Sequence, residues 1–386
     1  MTSRPALGKI GIWTAALKTD FAPSEQVSEA AAELDELGYG AIWLGGNPSP
    51  DQAGVLLDAT SRITVATGIL SIWDHEAAYV AERHTALNAA HDGRFLLGLG
   101  VSHSALAGER YQRPYTAMKE YLTALDSAPA PVPAAQRVLA ALGPKMLELS
   151  RDRAAGAHPY LVTPEHTAKA RDVLGKEAVL APELKVVLDT DPERARATAR
   201  EYLGRYLALP NYTNNFRRLG FEDADFADGG SDRLLSAMYA LGDAETIRAR
   251  VDEFLAAGAD HLAIQVVSGD PLTVLPARSG ARWPRHCRWT RADPSNHRDH
   301  SPGAGAGAGQ ASIPERPQRV ISRTAAPRSR NTPRAATPRP ARPASARPAH
   351  AGIRTGCWGS RSRTAPGPPG PPAAPAPTAG TASGAR

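Results

Sequence analysis

The segment GRFLLGLGVSHS, residues 93–104, breaks an apolar run with two glycines and then presents Ser102, His103 and Ser104 in succession. Three chemistries use such a pattern. A dinucleotide turn seats a pyrophosphate on glycine amides at a helix start, but it needs a third glycine where His103 stands. A nucleophile elbow raises Ser102 as the attacking hydroxyl of a hydrolase, but Ser104 replaces the glycine that lets the elbow close. At the C-terminal end of a barrel strand, Gly98 and Gly100 let a flat ligand approach the backbone while His103 points into the pocket. Histidine titrates near neutrality and can exchange a proton there. His75 and His158, each just past another strand, are further candidates for that role.

A second pattern lies in ALGPKMLELS. A strand ends at Leu142, Gly143 frees the backbone, Pro144 suits the first helical position, and Lys145 adds charge to a helix start that attracts anions. Nearby, GAHPY offers Gly156 for close approach and His158 or Tyr160 as donors. ATGILSIWDHE offers Ser71, Trp73, Asp74 and His75, with Trp73 able to wall an aromatic group. His84 shares a helix face with Leu87 and reads as a packed side chain. No HExxH or comparable spacing supports a metal site.

These residues need a scaffold that alternates strand and helix. KIGIWT, GAIWLGG, RITVATGIL, RFLLGLG, RVLAAL, GAHPYLV, LKVVLDT and HLAIQVV read as eight strands. Helices fall between them: one capped by Ser24 and ended by Gly38, one over about 76–90, one after Pro114, and others opening at GPKM and Thr163. Asp191 and Pro192 open a long helix, and helical sequence continues to Ala257. Eight strands in about 260 residues match a (β/α)8 barrel, with a doubly wound sheet as the alternative.

Charge divides the chain. Residues 277–386 hold nineteen arginines, no lysine, three acidic residues and both cysteines, Cys287 and Cys357. The first 276 residues hold 26 bases and 36 acids, a net charge of −10, so the basic balance belongs to the tail and not to a nucleic-acid-binding barrel. Its Arg, Pro, Ala and Gly composition implies disorder and matches a GC-rich gene read out of frame where a closing helix is expected, with a basic nucleic-acid-binding arm and a solubilising linker as the alternatives. A cysteine-free barrel, a start without a signal-peptide core and no long apolar run imply a cytoplasmic protein.

The stretches AAELDELGYGAIWLGG, TSRITVATGIL, AERHTALNAAHDGRFLLGLGVSH, RVLAALGPKMLELSRDRAAGAHPYLVTPEHTAKARDVLG and YLALPNYTNNFRRLGF are colinear between residues 9 and 267. Together they resemble the luciferase-like monooxygenase superfamily, and within it the actinobacterial oxidoreductases that use the deazaflavin coenzyme F420. The resemblance implies a (β/α)8 TIM barrel of residues 1–276, hydride transfer between F420 and a small organic substrate, and dimerisation. An FMN-dependent monooxygenase of the same fold is the alternative, and a serine hydrolase through Ser102 a more remote one. The family's strand-three bulge, often a non-prolyl cis peptide, falls around Leu70 and Ser71, with Gly68 beside them against the cofactor. Its strand-four contacts fall on Gly100, Val101, Ser102 and His103, and its phosphate seat on Gly143, Pro144, Lys145 and Met146, with Gly156 and Ala157 on that side. This chain departs from relatives that carry an acid or histidine where Gly45 and Gly46 stand, or a charged residue in place of Val101. The proton role therefore falls to His103, with His75 and His158 behind it.

Overall fold

The computed structural model describes residues 6–268, so the expected disordered tail from residue 277 lies outside the described residues. The chain opens with β1 (Ile10–Thr14), α1 (Ser24–Glu36), β2 (Ala41–Leu44), α2 (Pro50–Asp58), β3 (Thr64–Thr67), β4 (Leu70–Ser71), α3 (Ala77–Ala90) and β5 (Phe95–Gly100). It continues through α4 (Ser104–Ala107), α5 (Pro114–Asp126), β6 (Arg137–Leu139), α6 (Pro144–Arg153), β7 (Gly156–Ala157), α7 (Pro164–Leu174), β8 (Val179–Leu180) and β9 (Glu183–Leu188). An insertion follows, comprising α8 (Pro192–Leu207), α9 (Pro210–Arg218), α10 (Asp232–Met238) and β10 (Tyr239–Gly242), before α11 (Ala244–Ala256) and β11 (Leu262–Val266).

All pairings are parallel. The order β11-β1-β2-β3-β5-β6-β7-β8 closes because β9, two residues beyond β8 in the chain, pairs back onto β11. The seventh barrel position is thus one bent strand interrupted at Ala181 and Pro182, and the (β/α)8 expectation holds. Strand alternation sorts the side chains. Ile10, Ile12, Ile42, Leu44, Val65, Phe95, Leu97, Leu99, Leu184, Val186, Leu262 and Ile264 pack outward against helix residues such as Val27, Leu34, Leu56, Val80 and Leu122. The opposite parity points into the lumen, where Trp13, Trp43, Ala66, Leu96, Val138 and Ala263 cluster.

β3 and β4 are one strand broken by a bulge. Ala66 pairs with Leu96 and Leu70 with Leu99, so one extra residue stands on the first strand. Thr67 repairs the ladder with its side chain: Oγ1 donates to Gly98 O at 2.7 Å and accepts from Gly98 N at 2.8 Å. The Gly68-Ile69 peptide inside the bulge is cis, two residues ahead of the position expected from the resemblance.

Several local expectations are corrected. Ser24 is the first residue of α1 and does not cap it; Pro23 precedes it and no side chain bonds the helix start. Asp191 does cap α8, accepting from the amides of Glu193 and Arg194 at 3.0 Å. RVLAAL pairs over Arg137–Leu139 only, with Ala140 N adding one bond to Leu99 O at 2.8 Å. The helical stretch read up to Ala257 contains β10, and a short α4 directly follows His103.

Candidate active site

The C-terminal ends of the strands form a mouth in two parts. On the side of β2, β4 and β5 the loops are tied to one another. Asn47, after β2, accepts from Ser71 N at 2.7 Å and donates to Asp74 Oδ2 at 2.9 Å. Asp74 pairs with Arg110 at 2.9 Å, and Arg110 also donates to Trp73 O. Burial pushes the Asp74 carboxyl up, but bonds from Arg110, Ser71 and Asn47 outweigh it and hold the group below its ordinary value. Trp73 Nε1 donates to Val101 O at 2.6 Å, and its ring tilts against Tyr111. Trp73 thus holds the end of β5 through its backbone.

The bulge is held by Trp13, which the sequence does not single out. Its Nε1 donates to Gly68 O at 2.8 Å, inside the cis peptide. The indole needs Gly45: a Cβ there would lie 2.3 Å from Trp13 Cζ2. The position without an acid or histidine is therefore filled by an aromatic ring from the neighbouring strand. Beside it, the buried Lys18 donates to Gly46 O at 2.7 Å and lies over the Phe21 ring.

Gly98 and Gly100, expected to admit a ligand, make room for the barrel itself. A Cβ on Gly98 would stand 1.9 Å from Thr67 O, and one on Gly100 2.4 Å from Ile69 Cδ1. Gly156 is pressed against Val179 in the same way, at 2.0 Å. Leu70 packs in the outer layer and Ala157 against Leu147, Ala170 and Leu174. At these glycines the space on the Cβ side is taken by strand neighbours.

The three histidines are not brought together. His75 stacks on Tyr79 of α3, and its carbonyl accepts from Tyr121 of α5 at 2.9 Å. His158 is 1% exposed, stacked on Trp43 at 4.1 Å, with Nδ1 donating to Ala181 O at 2.7 Å. Burial lowers it to about 4, so it sits neutral in the lumen and is corrected from proton carrier to core residue. His261 lies in the same lumen, with Nε2 accepting from Trp43 Nε1 at 3.0 Å.

His103 stands beyond the end of β5 against α9. It is partly exposed, its Nδ1 lies 2.8 Å from Asn211 Oδ1, and its ring tilts against Tyr212 at 5.2 Å. Burial lowers its pKa below the ordinary histidine value, with the Asn211 bond opposing. Ser102 precedes it at φ 55°. Among the described residues no hydrogen bond joins the Ser102 hydroxyl to a histidine, so the elbow chemistry lacks its base.

The other part of the mouth is a buried polar cluster. Lys185 and Glu183 point inward from β9, both side chains 0% exposed, with Nζ 2.9 Å from both carboxylate oxygens. Burial lowers Lys185 and raises Glu183, and each partner opposes the other's shift. Lys185 Nζ stands 3.6 Å from the Tyr160 ring centre, a cation–π contact. Above it four groups form a closed cycle: Gln265 Nε2 donates to Tyr202 at 2.5 Å and Tyr160 donates to Gln265 Oε1 at 2.8 Å. Tyr206 links the two tyrosines, at 2.8 Å from Tyr160 and 3.3 Å from Tyr202. The sequence signal was present but weak: Glu183 and Lys185 are charges at period two within an otherwise apolar strand, which marks an inward polar face.

The helix expected at GPKM opens at Pro144. Gly143 precedes α6 without a side-chain cap, and among the described residues only Arg218 Nη2 comes near, 3.9 Å from where a Cβ would be. Pro144 and Lys145 are exposed, whereas Met146 turns into the packing layer. Arg218, from the last turn of α9, was not foreseen.

Residues 9–128, from β1 through α5, match the model of the luciferase-like monooxygenase family. The barrel is luciferase-like. A comparison with curated proteins returns no match. Among solved structures, this luciferase-like barrel is similar to an F420-dependent secondary alcohol dehydrogenase in complex with an F420-acetone adduct: 16% identity, 68% of this chain and 94% of that one covered, TM-score 0.54. It is similar to the coenzyme F420 dependent tetrahydromethanopterin reductase of Methanopyrus kandleri: 16% identity, coverage 68% and 93%, TM-score 0.55. It is also similar to the oxygenating constituent of 3,6-diketocamphane monooxygenase from Pseudomonas putida, in complex with FMN: 12% identity, coverage 68% and 93%, TM-score 0.51. At these identities the likeness is one of fold. Among the described residues there is no group of histidine, cysteine or acidic side chains that could hold a metal, and no helix long and apolar enough to cross a membrane.

Proposed function

We propose that this barrel is an oxidoreductase that binds coenzyme F420 at its mouth and exchanges a hydride between it and a small organic substrate. The observation that carries this is the uncapped start of α6, with Lys145 following and Arg218 alongside. Helix-start amides and two cations fit the phosphate end of a flavin-like cofactor. The F420-using and FMN-using neighbours of the same fold support the cofactor class.

Bound there, a deazaflavin supplies hydride exchange at its C5. The chain's own part is to seat the anion at α6, to brace the bulge through Trp13, and to move the accompanying proton at His103. Such acid–base assistance contributes about 10² to 10⁴ in rate.

Titration of the full chain with F420 and with FMN, followed by fluorescence, tests the proposal. F420 binds, and Arg218→Ala weakens it about tenfold, the loss of one charge-assisted contact. His103→Gln lowers turnover at least a hundredfold with cofactor affinity unchanged. Binding of FMN alone overturns the deazaflavin assignment, and binding of neither overturns the function.

A further inference from the structure

The insertion after β9 reaches back across the mouth to the end of β5. We infer that Asn211, in the first turn of α9, fixes the His103 imidazole as the Nδ1–H tautomer and so makes Nε2 its proton-exchanging atom. This rests on the proton role given to His103 above.

His103 Nδ1 and Asn211 Oδ1 are 2.8 Å apart and 108 positions apart in the chain. An amide oxygen only accepts, so the ring nitrogen facing it carries a hydrogen. The other nitrogen of a neutral imidazole is then the lone-pair atom. His103 Nε2 has no protein partner among the described residues, and it is not among the sealed, partnerless atoms of the barrel. It is left to solvent or substrate.

Tyr212 holds the same ring from its face, with centroids 5.2 Å apart at 44°. Two successive residues of one helix therefore set both the tilt of the imidazole and its rotation. α9 is itself anchored: Tyr212 and Phe216 are buried, and Tyr206 meets the Tyr212 ring edge-on at 5.3 Å. Tyr212 is the titratable group against the imidazole, and burial drives its pKa far up, so it stays neutral. Among the described residues, burial and the Asn211 bond are the influences on His103.

The test reads the ring nitrogens directly. The ¹⁵N NMR spectrum of the full-length protein is recorded, with the His103 signals identified by their loss in His103→Gln. The wild type shows Nδ1 protonated above the titration. Asn211→Leu moves the ring toward the Nε2–H form that a free imidazole prefers. Asn211→Asp keeps Nδ1–H and raises the His103 pKa by about one unit or more, as an adjacent anion favours imidazolium. A wild-type ring in the Nε2–H form, or an unchanged tautomer in a folded Asn211→Leu, overturns the inference. The spectra need no cofactor, so a failure of F420 to bind strikes the proposed function separately from the tautomer.

Discussion

The two parts of the mouth are built on different plans. Where β2, β4 and β5 end, the ties run between loops close in sequence, 27 positions from Asn47 to Asp74 and 28 from Trp73 to Val101. Where β7, β9 and β11 end, they run across the fold, 105 positions from Tyr160 to Gln265. The first part uses partly exposed groups that water can replace. In the second, Glu183, Lys185, Tyr202 and Gln265 are buried, so a missing one leaves a charge or dipole with nothing to answer it.

The largest effect should come from the sealed side. Lys185→Met strands the Glu183 carboxylate and costs about 3–5 kcal/mol in chemical denaturation. The double variant Glu183→Gln/Lys185→Met recovers most of that loss. Asp74→Asn, across the mouth, costs less than about 1 kcal/mol. Equal losses at Lys185 and Asp74 would erase the distinction between the two plans.

An intermediate effect separates two glycines. Gly45→Ala forces the Trp13 indole off Gly68 and costs about 1–3 kcal/mol, with a changed near-ultraviolet dichroism. Gly143→Ala meets Arg218 Nη2 at an ordinary contact distance of 3.9 Å and changes stability by no more than about 1 kcal/mol. A silent Gly45→Ala spectrum would mean that Trp13 has another place to go.

The smallest effect depends on pH. Asp35, at the end of α1, accepts from the amides of Ser61, Arg62 and Ile63 at 2.9, 3.2 and 3.1 Å. Burial pushes its carboxyl up, but the Ser61 and Arg62 bonds and the Arg62 charge outweigh that and leave it below 3.8. A lowered carboxylate stabilises fully above its unfolded value and loses that contribution as pH falls through the folded one. Wild type exceeds Asp35→Asn by about 1 kcal/mol at neutral pH, and the two converge below about pH 4. Parallel stability curves down to strong acid would rule this out.

The same contrast explains what could be read in the chain. Apolar runs bounded by turn residues located the eight barrel positions, and Gly143 and Pro144 located the start of α6, because both are local signals. The bulge was displaced by two residues because Thr67 replaces a ladder bond with its side chain, which no periodicity shows. The strand at YALG was hidden between helices and pairs along the other edge of β9, from Lys185 to Leu188. Asn211, Arg218, Gln265 and the tyrosines of α8 could not be tied to the mouth from sequence, since closure of the ring is what brings them there. The glycines of β5 were correctly noticed but answer to Thr67 and Ile69.

The four-membered cycle above Lys185 has a sense of rotation. Gln265 supplies a donor on one side and an acceptor on the other, so Tyr160 must receive its hydrogen bond from Tyr206, and Tyr206 must receive from Tyr202. Each hydroxyl gives once and takes once. The three O–H dipoles therefore point one way around the loop like compass needles, and a half-turn of the single Gln265 amide would have to reverse them all together.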